Sequence, residues 1–210
     1  MQGFIFDFDG IIVDTEPFAI QAWKSCLRPY GVDLSNDQFN LMVGTSNDLC
    51  VNLIKDQTGV EISEIDFWNT LLDLIKINIS APKDGLLPLL IKIQKRGNQL
   101  AIASNSITSF IISTLKHLQI DEHFSEIVGS DQVVNHKPFP DVYLEAARRL
   151  GVSPQNCLAF EDTPLGAQAA ISAGMKCILI PNLLLPPPPN HFQVYQNFYE
   201  VLANFDDIAT

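Results

Sequence analysis

The sequence predicts an α/β protein: a parallel-sheet core interrupted, after its first strand, by an α-helical domain. Three observations predict it. An apolar run opens the chain at Gly3 and ends in two carboxylates, Asp7 and Asp9, before Gly10. From Thr15 to about Ile79 the apolar residues recur only at helical spacing. Beyond residue 81, short apolar strands alternate with amphipathic helices, the pattern of βαβ units. The expected division is 1–14 with 81–210 for the α/β core, and 15–80 for the helical insert.

Residues 3–8 read as a short strand buried on both faces and stopped by Gly10. Thr15 reads as an N-cap, with Glu16 and Pro17 in the first turn of a helix that reaches about Tyr30 and stops at Gly31. Its apolar face is Phe18, Ala22, Trp23, Cys26 and Leu27. Ser35-Asn36-Asp37-Gln38 is a capping-box pattern. Ser46 reads as the cap of a helix with the face Leu49, Cys50, Leu53 and Ile54. Ser63 reads as the cap of another, with Ile65, Trp68, Leu72, Ile75 and Ile79 inward. In the core, helices are expected over 85–96, 108–118, 140–150 and 164–173, and strands over 99–104, 126–130, 157–160 and 176–180. Pro186 to Pro189 reads as a stiff spacer, and the tail over 194–205 as one more strand and helix.

Composition bounds the function. A hydrophobic fraction of 47% with 18% charged residues is ordinary globular composition and speaks against disorder. The formal net charge of −11 argues against non-specific nucleic-acid binding and requires local cations to meet any anionic substrate. Cys26, Cys50, Cys157 and Cys177 form no C-x-x-C pair, and there is no H-E-x-x-H, so neither a zinc nor a redox site is expected. Scattered thiols suit a reducing compartment. No signal-like segment precedes the first strand and no apolar run approaches membrane-spanning length. A cytoplasmic protein without membrane contact, monomeric by default, is the expectation.

Open α/β sheets bind ligands beyond the carboxyl ends of their strands. Four stretches fall there: Asp7 with Asp9; Ser104-Asn105-Ser106; His136-Lys137-Pro138; and Glu161-Asp162-Thr163-Pro164. Each alone has a bland reading as turn, cap or solvated charge. Together, at successive strand ends, they gather four carboxylates, a lysine and small polar groups. Carboxylates crowded in a low-dielectric site either protonate or require a cation. A catalytic strand end holding a divalent metal is therefore expected.

The same residues carry a resemblance. Asp7-Phe8-Asp9-Gly10 with Asp14-Thr15-Glu16, then Ser104, then Lys137 in HKPFPDVYLEAARRLG, then Glu161-Asp162 in AFEDTPLGAQAAISAG, are similar in order to the four motifs of the haloacid dehalogenase-like phosphohydrolases. Within that superfamily the chain resembles the branch of beta-phosphoglucomutases and small sugar-phosphate phosphatases. The resemblance implies a Rossmann-like parallel-sheet core with an inserted α-helical cap domain. It implies Asp7 as nucleophile, giving an aspartyl-phosphate, and Asp9 as acid/base. It implies Gly10, Ser104, Asn105 and Lys137 around the phosphoryl oxygens. Mg²⁺ suits an all-oxygen site, with Asp7, the backbone carbonyl of Asp9, Asp162 and Glu161 (directly or through water) as implied ligands. With the metal and Lys137 beside it, Asp7 is expected to stay ionised near neutral pH.

Substrate choice is expected from the insert, which a position after the first strand makes a lid over the ligand crevice. The mutase branch carries a His four residues after the position of Thr15; here it is Ala19. It also carries an Arg in a Gly-x-Ser-Arg turn; here the stretch is Gly44-Thr45-Ser46-Asn47. A neutral Asn cannot supply Arg's bidentate, charged grip on phosphate. The expectation is an Mg²⁺-dependent phosphatase acting on a small phosphomonoester, a sugar phosphate or related metabolite. Two readings stay open: a phosphosugar mutase, if a cation such as Lys55 or Lys76 faces the site, and a non-enzymatic phospho-acceptor or binding module. The four intact motif positions argue against the second. Nothing matches a dinucleotide G-x-G-x-x-G or a Walker A lysine.

Overall fold

The structure is a computed structural model that describes residues 2–35, 38, 39, 42, 47–181 and 192–208. They fall into two compact units, Met1–Asp14 with Ala81–Thr210, and Thr15–Ser80.

In the first unit the described residues form six strands: β1 (Gly3–Phe6), β2 (Gln99–Ala103), β3 (Glu126–Val128), β4 (Cys157–Glu161), β5 (Lys176–Leu179) and β6 (Gln193–Val194). All pair in parallel, in the order β3-β2-β1-β4-β5-β6. β1 is central, with Ile5 opposite Ala101 on one side and Ala159 on the other. Every residue of β1 is buried, which is why it reads as a continuous apolar run rather than an alternating one. Alternation still sorts its side chains between faces. Ile5 joins Ala101, Ala103 and Ala159 beneath the helices α6 (Asp141–Leu150) and α7 (Pro164–Ser172), where alanines permit close approach. Phe4 and Phe6 lie in an aromatic layer: Phe6 stacks on Phe160 at 4.5 Å and Phe4 on Phe205 at 5.8 Å. The remaining helices of this unit are α4 (Leu86–Lys95), α5 (Thr108–His117), α8 (Phe198–Ala203) and α9 (Phe205–Ile208).

The strand order matters for the site. The chain steps from β1 through β2 to β3 on one side, then returns to place β4 on the other side of β1. The order therefore reverses between β1 and β4, and a crevice opens beyond the carboxyl ends of such a pair. Asp7 follows one of these strands; Glu161 ends the other and Asp162 follows it.

The second unit contains α1 (Glu16–Leu27), α2 (Asn47–Thr58) and α3 (Glu64–Asn78). A short 3-10 turn over Arg28–Tyr30 follows α1 and ends at Gly31, as its sequence indicates. Ser63 caps α3 by accepting from Asp66 N–H at 3.4 Å. The capping-box partners Ser35 and Gln38 do bond each other, Gln38 N–H to Ser35 Oγ and Ser35 N–H to Gln38 Oε1.

Three expectations are corrected. Thr15 stands at the N-cap of α1 as expected, but its side chain makes no capping bond; its carbonyl accepts from the N–H groups of Phe18 and Ala19. The inward face of α3 is Phe67, Trp68, Leu71 and Ile75, while Ile65 is 71% exposed. Phe67 stacks on Trp23 at 3.9 Å, and that aromatic contact turns the helix about its axis. Leu49 is likewise exposed, while Cys50 and Ile54 are buried on α2. The Gly44–Ser46 turn, the Ser46 cap and Pro186–Pro189 lie outside the described residues. Among the described residues no helix is long and apolar enough to cross a membrane.

Candidate active site

Past Phe6 the chain leaves the ladder, anchored by Asp7 N–H donating to Phe160 O at 2.9 Å. It then curls into a tight loop, with Ile12 N–H to Phe8 O and Gly10 N–H to Val13 O, both at 2.8 Å. Gly10 has φ +75°, and a Cβ there would lie 1.9 Å from Asp162 Oδ2. Only glycine allows this conformation and this approach of backbone to carboxylate. Lys83 pins the same loop from the returning chain. Its N–H donates to Ile12 O at 2.9 Å, and its Nζ donates to Gly10 O at 2.7 Å and Asp14 Oδ1 at 2.8 Å.

Lys137 lies at the centre. Its Nζ donates to Asp7 Oδ1 at 2.7 Å and to Glu161 Oε1 at 2.6 Å, and all three side chains are buried. Tyr143, on α6, donates its hydroxyl to the same Glu161 Oε1 at 2.6 Å. Its ring centroid is 4.9 Å from Lys137 Nζ. Gly166, in the first turn of α7, makes room for Glu161: a Cβ there would lie 2.1 to 2.2 Å from its carboxylate atoms. Thr163 Oγ1 caps α7 by accepting from Gly166 N–H at 3.0 Å.

The charges do not balance. Burial first, and then the Glu161 charge, push Asp7 up to about 8, and Lys137 only partly offsets them. Asp162 is raised well above the usual carboxylate range by burial and then by Asp7 and Glu161. Burial opposes the Lys137 ammonium, yet the charges of Asp7 and Glu161 outweigh it and tighten its hold on the proton. One oxygen each of Asp7, Glu161 and Asp162 lies within 4.8 Å of the others. Glu161 Oε2 is buried and has no hydrogen-bond partner among the described residues. An all-oxygen, excess-anionic donor set with an orphaned buried carboxylate oxygen fits a hard divalent cation such as Mg²⁺. A cation bound there would oppose the upward push on Asp7 and Asp162. The expectation of an ionised Asp7 thus depends on that cation, since Lys137 alone does not secure it.

The polar groups of the second strand end gather on Asp9. Ser104 Oγ donates to Asp9 Oδ2 at 3.2 Å, and Ser106 Oγ donates to the same oxygen at 2.7 Å. Ser106 N–H in turn donates to Ser104 Oγ at 2.9 Å. Asn105 uses both ends of its amide on the backbone of Lys137: Oδ1 accepts from Lys137 N–H at 2.9 Å, and Nδ2 donates to Lys137 O at 3.4 Å. The fold thus brings Asp7, Lys137, Glu161 and Asp162 into one cluster, with Gly10 against Asp162. Asp9 pairs with Ser104, and Asn105 braces the lysine loop. Sequence reasoning placed Ser106 at the strand end without a role and passed over Tyr143, Lys83 and Gly166 as site-builders. Ser106 had a signal, two residues beyond Ser104 on the same strand end. The other three are defined only by contacts across the fold.

The family model for haloacid dehalogenase-like hydrolases matches residues 4–180 of the chain. Fructose-1-phosphate phosphatase YqaB of Escherichia coli is 32% identical over 182 residues, spanning 84% of this chain and 94% of that protein. The fold is similar to that of CbbY from Rhodobacter sphaeroides, solved in complex with phosphate, at TM-score 0.87 and 23% identity, covering 98% of this chain and 99% of that one. It is also similar to beta-phosphoglucomutase from Clostridium difficile, at TM-score 0.81 and 25% identity, covering 100% and 96%.

Proposed function

The chain belongs to the haloacid dehalogenase-like hydrolases and is a phosphoric monoester hydrolase, and we propose that its substrate is a small sugar phosphate or related metabolite, hydrolysed with Mg²⁺ through an aspartyl-phosphate on Asp7. The observation that carries this reading is the buried junction of Asp7, Lys137 and Glu161 beside Asp162. It provides a nucleophilic carboxylate, a fixed cation and a bed for a second, divalent one.

An Asp7 oxygen forms a bond to phosphorus while the bond from phosphorus to the alcohol oxygen breaks. Asp9 gives that oxygen its proton, and the alcohol leaves. Water then attacks phosphorus and gives its proton to Asp9, and the bond from Asp7 to phosphorus breaks, releasing inorganic phosphate. Lys137 offsets charge on Asp7 and on the phosphoryl oxygens, and the Ser104 hydroxyl, with the Gly10 loop, orients them. Asp7, Asp162, Glu161 and the Asp9 carbonyl would hold Mg²⁺, which would screen the phosphate from the carboxylates and supply Lewis-acid polarisation.

The test is hydrolysis of p-nitrophenyl phosphate and a panel of sugar phosphates, with Mg²⁺ and with EDTA. We expect turnover only with the metal. Asp7→Asn should abolish it, and Asp9→Asn should lower it by about 10²–10⁴-fold. A phosphoryl adduct trapped on a residue other than Asp7 overturns the mechanism. The mutase reading makes the opposite forecast for glucose 1-phosphate: conversion to the 6-phosphate without phosphate release. Asn47 and Ala19, at positions where that branch carries Arg and His, favour the phosphatase.

A further inference from the structure

Tyr143 reads in sequence as a core aromatic of α6, and its ring is one. It is fully buried in the layer that holds Ile5, Ala101, Val142 and Ala146. A phenylalanine would serve that packing equally well. The hydroxyl is the part that packing leaves unexplained, because a buried O–H requires an acceptor. Its acceptor is Glu161 Oε1 at 2.6 Å, a short bond of the charge-assisted kind.

Glu161 is completely buried, and its two oxygens are treated unequally. Oε1 accepts from both Lys137 Nζ and Tyr143 OH, whereas Oε2 is buried with no partner among the described residues. The terminal torsion of a glutamate is broad and nearly two-fold, so a single donor would let the carboxylate rotate and present either oxygen. Two donors from different directions on one oxygen remove that freedom. Gly166, with no side chain to fill the space, admits the carboxylate in this orientation.

We propose that Tyr143 is a positioning residue of the cation site: with Lys137 it holds Oε1 of Glu161, and so leaves Oε2 as the oxygen that serves the ion or an ion-bound water. The inference rests on the reading of Asp7, Glu161 and Asp162 as a divalent-cation site. Partners that orient metal-ligating carboxylates alter metal affinity by about 10–100-fold when lost.

The experiment is calorimetric titration of the full-length, EDTA-stripped protein with Mg²⁺, in the absence of substrate. Tyr143→Phe should bind Mg²⁺ about 10–100-fold more weakly. With Mg²⁺ raised to saturation, its KM for p-nitrophenyl phosphate should stay within about twofold of wild type, because the hydroxyl serves Glu161 and not the substrate. Two isosteres separate donor from volume. p-Fluorophenylalanine at position 143 fills the hydroxyl's space without donating, and should be as weak as phenylalanine; it also carries the test if phenylalanine does not fold. p-Aminophenylalanine can donate and should restore the affinity. Wild-type affinity in the fluoro or phenylalanine variant overturns the proposal, as does equal weakness of the fluoro and amino variants. A wild-type protein that takes up no Mg²⁺ overturns the cation reading and this inference with it, whereas an equal Kd in wild type and Tyr143→Phe overturns the inference alone.

Discussion

Two glycines show how much of the site is space. Gly10 follows the aspartate pair directly, and its role is legible from that adjacency. Gly166 lies in an ordinary run of small helical residues, PLGAQAA, and nothing local marks it. Its importance comes from the carboxylate of Glu161, which occupies the place a Cβ would take. Gly166→Ala should destabilise the protein by about 1–3 kcal/mol in urea unfolding and weaken Mg²⁺ binding, since either the helix or Glu161 must move. Unchanged stability with unchanged Mg²⁺ affinity would show that the carboxylate has room to spare. Ser106 offers a different kind of test. It and Ser104 share one oxygen of Asp9, and in the proposed mechanism that carboxyl delivers a proton to the departing alcohol, for which it needs a fixed direction. Ser106→Ala should therefore slow hydrolysis of an alkyl phosphate about tenfold, and of p-nitrophenyl phosphate much less, because the better leaving group needs less protonation. Equal losses on both substrates would assign Ser106 to structure alone.

Helix boundaries were largely readable from caps and stops, whereas helix orientation was not. In α3, EIDFWNTLLDLIKIN, apolar residues occur almost all round the axis, so periodicity does not single out the buried face. The choice falls to Trp23, whose indole stacks on Phe67. Phe67→Ala should cost about 3–5 kcal/mol in denaturant unfolding, well above an Ile65→Ala change at an exposed position. Helix α6 carries a local charge device that its sequence does show. Glu145 accepts from Arg148 at 2.7 Å and from Arg149 at 2.7 Å, and these hydrogen bonds lower it from the usual 4.5 to about 2. A depressed carboxylate contributes stability above its unfolded value, and the contribution is lost as pH falls through about 2. Arg148 is mostly exposed, so Glu145→Gln should cost less than about 1 kcal/mol at neutral pH and nothing near pH 2.

For the whole molecule, the proposed ion binding draws on the same carboxylates that burial strains in the fold. An unfolded aspartate titrates near 3.9, while Asp7 is pushed up to about 8 by burial and by Glu161. A raised acid stabilises the fold fully below its unfolded value and loses that contribution as pH rises through its folded one. In EDTA, the melting temperature should therefore fall between about pH 4 and 8, and Mg²⁺ should remove most of that fall. Asp7→Asn should flatten this part of the profile, which calorimetry at several pH values would reveal. Mg²⁺ binding should tighten over the same interval, because cation and proton compete for one carboxylate. A melting temperature that rises with pH in EDTA, or Mg²⁺ affinity independent of pH, would contradict this account. At about a hundredfold excess over its Kd, Mg²⁺ should add about 2.7 kcal/mol to the stability.

The sequence by itself determined the fold class, the α/β alternation and the family, because these are written in local patterns: period, caps, and short motifs at strand ends. It also identified Asp7, Asp9, Ser104, Lys137, Glu161 and Asp162 as the residues to examine, since charged groups at the ends of apolar strands are conspicuous in one dimension. Their arrangement in space came only from the tertiary fold. The strand order places β4 beside β1, so carboxylates more than 150 residues apart converge, and one lysine bridges Asp7 and Glu161. It also turned a core tyrosine toward Glu161, fitted Gly166 beneath the same carboxylate, and tied the loop after Asp9 to Lys83. Hydrogen bonds and excluded volume act over a few ångströms in space, whatever the separation along the chain, and no local pattern encodes which distant groups will come that close.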